Sequence, residues 1–203
     1  YVVSERILKK TPEQKALIRK HLEKFCGLYT GMSSRLEEFV DLFPIHPSYI
    51  DVFNKLYLIE NRHILKNIST TIKDIFDTNV PENAPGIISF DNYWPAIKSN
   101  GLLKSDPTIS RVVGASQQLE DIIVRAFPKP AYKPMAMQII YALSVHRLTT
   151  NGLDVQFGMT AENLKDDLCL YMMMPEQDAD FLLSAVKVTL KEIMTTVSGQ
   201  FII

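Results

Sequence analysis

Four histidines, two cysteines, a few acids at helix starts and one arginine at the head of an amphipathic helix are the residues with which this 203-residue chain could do chemistry. His21 and His63 fall inside expected helices and His146 near a helix end. None has a carboxylate or a second ligand one turn further on. No His-Glu-x-x-His pattern occurs, so no metal site is expected. Cys26 and Cys169 lie far apart in sequence and match no metal-ligand spacing, which favours two buried thiols in a reducing compartment over a disulfide. The glycines are scattered, and none leads into Lys-Ser or Lys-Thr at the spacing of a phosphate-binding loop. The run Ile87-Ile88-Ser89-Phe90-Asp91 has the outline of a strand offering an aspartate to magnesium. Without that loop, Asp91 reads as a helix cap. No Gly-x-Ser-x-Gly elbow presents a nucleophile. The expectation is a chain with no catalytic residue and no cofactor of its own.

Two kinds of basic residue remain. The stretch Tyr57-Leu58-Ile59-Glu60-Asn61-Arg62-His63-Ile64-Leu65-Lys66 sets Arg62 in the first turn of an amphipathic helix, directly after another helix. By residue pattern alone Arg62 is a solvated charge. Lys187 and Lys191 lie on the last expected helix, the one that would read DNA in a winged helix. They are opposed by Asp178, Asp180 and Glu192, and no Arg, Asn or Gln suited to base edges occurs between residues 179 and 197. Two lysines release few counterions, so weak and sequence-indifferent DNA binding is the most this helix promises.

The elements that carry these residues are mostly helical. Thr11-Pro12-Glu13-Gln14 is a capping box with proline at the first helical position. Leu17, Ile18, His21, Leu22, Phe25 and Leu28 follow at helical spacing, predicting one helix that ends near Gly31. Ser33 or Ser34 can cap a shorter helix through Leu42. The prolines of Phe43-Pro44-Ile45-His46-Pro47 then enforce an extended break. Further helices are expected from about Pro47 to Leu58, Glu60 to Phe76, Asp91 to Gly101, and from the Asp106-Pro107 cap to Phe127. From residue 134 the order is helix to Leu148, short strand Leu153–Phe157, helix from the Thr160 cap through Tyr171, helix from Ala179 to Val197, and a strand begun at Gln200. That is the order of a winged helix truncated after its first wing strand. Pro81, Pro85 and Gly86 mark residues 77–90 as a linker, dividing a region 1–76 from a region 91–203 whose last part, about 134–203, is the winged-helix-like module.

Composition narrows the class further. The chain is 46% hydrophobic and 22% charged with a net charge of −1, ordinary for a folded protein. Residues 1–76 carry a small basic excess and residues 77–203 an acidic one; neither is a surface that binds phosphate backbones by charge alone. No apolar run approaches the roughly 20 residues that cross a bilayer, and no secretory leader is visible, so no membrane partner and a cytoplasmic location are expected. The apolar ends, Tyr1-Val2-Val3 and Phe201-Ile202-Ile203, read as strands whose partners lie elsewhere, as in a fragment of a larger protein.

The run Phe43-Pro44-Ile45-His46-Pro47-Ser48-Tyr49-Ile50-Asp51-Val52, followed by Asn61-Arg62-His63-Ile64-Leu65-Lys66, resembles the lid region of AAA+-type P-loop ATPases. It is most similar to the large ATPases of the prokaryotic phage-growth-limitation and bacteriophage-exclusion defence systems. Ile88–Trp94, Ala142–Thr150 and Val197–Phe201 fit the same family. The resemblance implies a mainly α fold, a helical lid-like bundle followed by a truncated winged-helix-like domain with short β-strands. It also implies an upstream nucleotide-binding domain as partner, ATP and magnesium as cofactors of that parent, and other defence-system proteins as further partners. Arg62 matches the sensor-2 position, where a guanidinium reaches the nucleotide phosphates. Arg6 is a second candidate for a phosphate or subunit contact, and Phe43, Pro44, His46 and Pro47 would fix entry into the lid helix. The expected role is regulatory coupling without catalysis. A nucleic-acid-binding winged helix or a helical protein-interaction scaffold are the alternatives.

Overall fold

The structure, a computed structural model, describes residues 8–57, 79–101, 105–150 and 158–197. Nine α-helices lie among the described residues: α1 Pro12–Glu23, α2 Thr30–Ser34, α3 Leu36–Leu42, α4 Pro47–Tyr57, α5 Trp94–Ser99, α6 Pro107–Ala126, α7 Lys133–Thr149, α8 Ala161–Asp167 and α9 Ala179–Thr196. Short 3-10 turns at Cys26–Leu28, Phe90–Tyr93 and Pro130–Tyr132 join them. The fold is mainly α. Among the described residues there is no strand, only an isolated parallel bridge between Ile45 and Ile88. The expected strand Leu153–Phe157, the one begun at Gln200 and the helix Glu60–Phe76 lie outside the described residues.

Side-chain caps set several helix starts. Thr11 Oγ1 accepts from the Gln14 N–H at 3.3 Å while Gln14 Oε1 accepts from the Thr11 N–H at 2.9 Å, so two orphan donors are satisfied reciprocally. Asp106 accepts from Thr108 and Ile109 at the head of α6, Thr160 from Asn163 at α8, and Asp178 from Asp180 and Phe181 at α9.

Three expected boundaries need correction. The helix expected from Thr11 to Gly31 stops at Glu23, because the Phe25 N–H turns back to the Leu22 carbonyl and the chain tightens into the 3-10 turn. That tighter path buries Phe25, Leu28 and Tyr29 together. The helix expected from a Ser33 or Ser34 cap through Leu42 is α3, but its N-cap is Arg35, at φ −127 and ψ 31, while Ser33 and Ser34 lie in the separate helix α2. The helix expected to run from Thr160 through Tyr171 ends at Asp167, for a reason that belongs to the site below.

The core is one hydrophobic cluster that draws on residues on both sides of the expected linker, from Leu22, Phe39 and Ile45 to Trp94, Ile139 and Leu182. Fully burying side chains of this size stabilises by about 1.5–3 kcal/mol each. Central to it is α7, which packs against α4, α5, α6 and α9 and against the turn Phe90–Tyr93. Polar pairs fix the register within it. Ser144 Oγ donates to Ser116 Oγ at 2.9 Å between α7 and α6, and Glu120 accepts from Lys98 Nζ at 2.8 Å and Tyr141 Oη at 2.9 Å, tying α5, α6 and α7. Residues 85–88 are held to the first region. Pro85 O lies 3.1 Å from His21 Nε2, His46 N–H donates to Ile88 O at 2.9 Å and Ile88 N–H to Pro44 O at 2.8 Å.

Because Asp106 satisfies two of the orphan N–H groups of the longest helix described, Asp106→Ala should cost about 1 kcal/mol of stability. A urea midpoint that falls with an unchanged slope is the expected reading; an unmoved midpoint would show that the cap does not hold α6.

Candidate functional site

The densest gathering of ionisable and polar side chains among the described residues lies where the end of α8 meets α2, α4 and the turn Cys26–Leu28. Helix α8 ends on a left-handed residue. Cys169 has φ 44, its N–H donates to Asp166 O at 3.2 Å, and the next N–H, of Leu170, reaches back to Lys165 O at 3.1 Å. These two bonds form a Schellman motif with cysteine where glycine is usual. A non-glycine residue there costs roughly 1–2 kcal/mol. The motif turns the chain inward, so that residues 165–171 make a clasp against the first region.

Lys165 enters the interior from the last turn of α8 and is only 6% exposed. Its ammonium donates to the Leu28 carbonyl and lies 5.4 Å from the centre of the Tyr29 ring. It also stands 2.7 Å from Asp166 Oδ1, a charge contact rather than an aligned hydrogen bond. Tyr29 Oη in turn donates to Leu170 O at 2.8 Å, and Phe25 meets the Tyr171 ring edge-on at 5.7 Å. Burial holds the Tyr29 phenol well above its ordinary range and raises the Cys169 thiol as well, so neither is ionised near neutrality.

The second half of the clasp is the turn Phe43–Ser48, which contains a cis Phe43–Pro44 bond. His46 stands immediately before α4, and its Nδ1 accepts from the Ser48 N–H at 3.0 Å, the contact of a helix cap. With Nδ1 accepting, the neutral ring carries its proton on Nε2. The ring lies near the Asp166 backbone carbonyl and meets Phe39 edge-on at 4.9 Å. Burial pushes the His46 pKa down to about 4, only partly opposed by that carbonyl. Ser48 Oγ, 2.6 Å from His46 Nδ1, donates to the Asp167 carbonyl at 3.1 Å, so the first turn of α4 and the end of α8 are directly bonded. Around the rim, Arg35 pairs with Glu38 at 2.6 Å, and the Asp167 carboxyl is raised first by burial and then by the neighbouring Asp166.

Chemically, these groups are engaged with one another. Lys165, Tyr29, His46 and Ser48 each spend their polar atoms on backbone carbonyls, N–H groups or neighbours in the clasp. Among the described residues no group of three or more His, Cys, Asp or Glu side chains could hold a metal ion, and no helix is long and apolar enough to cross a membrane.

Of the residues singled out from sequence, Phe43, Pro44, His46 and Pro47 come together in this turn, with Phe43, His46 and Pro47 buried. Arg62 and Arg6 lie outside the described residues. Lys187 and Lys191 share the exposed side of α9, away from the buried Leu182, Ala185, Val186, Thr189 and Ile193. Lys187 is paired with Glu162 of α8 at 3.1 Å. Sequence reading missed Lys165, Tyr29 and Ser48; the one available signal was a lysine wedged against Leu164, with Leu168 and Cys169 one turn on.

Asp91 also departs from expectation. It is the second residue of the 3-10 turn Phe90–Tyr93, whose N-cap position belongs to Ser89. The carboxyl is 5% exposed and accepts from Ser89 Oγ. Beside it, Tyr49 and Tyr93 stack at 4.1 Å and Tyr93 Oη donates to Tyr49 O at 3.0 Å, joining α4 to the turn. Nearby in sequence, the Trp94 indole N–H is buried without a partner.

Burial raises the Asp91 pKa from 3.8 to about 6, against the hydrogen bonds from Ser89 and Asn92. A carboxyl whose folded pKa is raised binds its proton more tightly in the folded state. Its contribution is therefore greatest in acid and is lost as pH rises from about 4 through about 6. His46 acts oppositely: its folded pKa lies below 6.5, so its contribution is complete above 6.5 and is lost as pH falls towards about 4. The two offset each other across that window. Asp91→Asn should expose the His46 slope, making the variant lose, relative to the wild type, on the order of 2–3 kcal/mol between pH 7 and pH 4. Urea midpoints that run parallel for the two proteins across this range would refute the assignment.

No curated protein and no solved structure matches the chain. A family model described as the DUF6079 second domain matches residues 11–203. The match covers all but the first ten residues, and the chain accordingly belongs to the DUF6079 family as its second domain.

Proposed function

We propose that this chain is a coupling domain with no catalytic centre of its own, acting inside a larger AAA+-type P-loop ATPase of the prokaryotic phage-defence kind. It takes up movement from an upstream nucleotide-binding domain that holds ATP and magnesium, and passes it to attached modules in the cytoplasm. The observation that carries this reading is the clasp. The chain's most concentrated polar chemistry among the described residues is used to bolt α8 onto α2 and α4, which suits a body that transmits motion more than one that turns over substrate. The family's description as a second domain supports a multidomain parent. The turn Phe43–Ser48, with His46 capping α4, supports the lid resemblance, since Arg62 follows that helix in the sequence. Pairing of Lys187 with Glu162 supports coupling over DNA reading, because it takes up one of only two lysines proposed for phosphate contact.

In this reading Arg62 is the sensor-2-like arginine that reaches the nucleotide phosphates. A charge-assisted contact of this kind contributes on the order of 1.5–3 kcal/mol, or roughly one to two powers of ten in rate when expressed at the transition state. The isolated chain should release no phosphate from ATP above a buffer blank. In the full-length parent, Arg62→Ala should lower ATP turnover by that factor while leaving the melting temperature nearly unchanged. Wild-type turnover and nucleotide affinity in that variant would return Arg62 to the solvated surface, and turnover by the isolated chain would overturn the non-catalytic assignment.

A further inference from the structure

Helices α8 and α9 pack on each other, α8 also touches α2, and α9 rests on α6 and α7. Helix α4 packs on α7 and on the turn Phe90–Tyr93. Among the described residues, the bonds between the α4 end of the molecule and α8 fall in the clasp: Ser48 Oγ to Asp167 O and, from the neighbouring α2 entry, Tyr29 Oη to Leu170 O and Lys165 Nζ to Leu28 O. Each ends on a backbone carbonyl of one partner, so each fixes the position of main chain and not merely of a mobile side chain. Two of the three carbonyls, those of Asp167 and Leu170, belong to the Schellman turn that ends α8. They are free to accept because the helix has ended there.

We infer that the clasp is the mechanical link of this domain, through which α8 follows α4, with Ser48 and Tyr29 as its positioning residues. This rests on the coupling role proposed above and names where within the domain motion is passed on. A link of this kind predicts an invariant α4–α8 distance however the domain moves as a whole. Loss of the hydroxyl bonds should let α8 shift relative to α4 without unfolding either, because Leu164 and Leu182 remain in the core and α9 stays packed on α6 and α7.

The test uses the full-length protein in a Cys26→Ser background, with spin labels at Asn54→Cys on α4 and Asn163→Cys on α8, both exposed positions. Electron-electron distances are measured without nucleotide and with ATP and magnesium. The expected result is one narrow distance, the same in both states, and a second, longer distance in the double variant Ser48→Ala/Tyr29→Phe. Should that variant fail to fold, the two single variants carry the test, each expected to show the second distance at a lower fraction. Tyr141→Phe, which removes a hydroxyl bond between α7 and α6 instead, should leave the narrow distance alone. A wild-type distance that changes with nucleotide, clasp variants as narrow as wild type, or equal widening in Tyr141→Phe would each overturn the inference. Arg62→Ala turnover reports on the ATPase reading separately, since it can fail while the α4–α8 distance behaves as described.

Discussion

An ammonium group leaves water only at a cost of several kcal/mol unless acceptors and counter-charge wait for it, and the arrangement around Lys165 follows from that constraint. The Leu28 carbonyl, the Asp166 carboxylate and the face of Tyr29 surround the Nζ, and each comes from a different local structure. Leu28 is available because the chain after α1 tightens into a 3-10 turn. Asp166 is available because α8 stops one residue later. Tyr29 can lie over the ammonium because its own hydroxyl is engaged by the Leu170 carbonyl, inside the turn that ends α8. The charge therefore specifies the relative placement of two regions that hydrophobic burial alone would leave free to slide.

A second seam repeats the logic without a permanent charge. The Ile45–Ile88 bridge, the Tyr49–Tyr93 stack and the Tyr93 hydroxyl bond bring residues 85–93 against the start of α4. His46 belongs to both seams, since its backbone N–H serves the bridge and its side chain caps α4 beneath α8. A neutral imidazole is the group that can do this, since it can accept at Nδ1 without carrying a charge into the interior. The opposed pH responses of His46 and Asp91 are the consequence of burying one base and one acid at neighbouring joints.

Local rules were enough for much of this to be read from the residues. Thr11, Asp106 and Thr160 announced their helices because capping depends on neighbours two or three residues away, whereas Asp178, read only as an acid opposing two lysines, caps α9 as well. The mainly α class and the order of α7, α8 and α9 followed from apolar spacing. The end of α8 was not legible, because Cys169 adopts a conformation that sequence assigns to glycine, and contacts with Tyr29, well over a hundred residues earlier, help to hold it there. Lys165 was passed over for the same reason: a lysine beside aspartates looks like a solvated face until its partners are known. Asp91 was read as a helix cap, yet Ser89 holds that position and Asp91 is buried inside the turn, which packs on α4 and α7 in a way no local pattern reveals. The Phe43–Pro47 motif was legible as a break, while its grip on α8 through His46 and Ser48 was not.

If the clasp and the bridge make the two regions interdependent, the chain should unfold as one cooperative unit. Native-state hydrogen exchange in rising urea tests this most directly. The Leu170 amide in the clasp, the Ile88 amide in the bridge and the interior amides of α7 should converge on a single free energy of opening equal to the global stability. Convergence of residues 8–57 at a lower free energy, with α6 to α9 remaining protected to a higher one, would contradict the account.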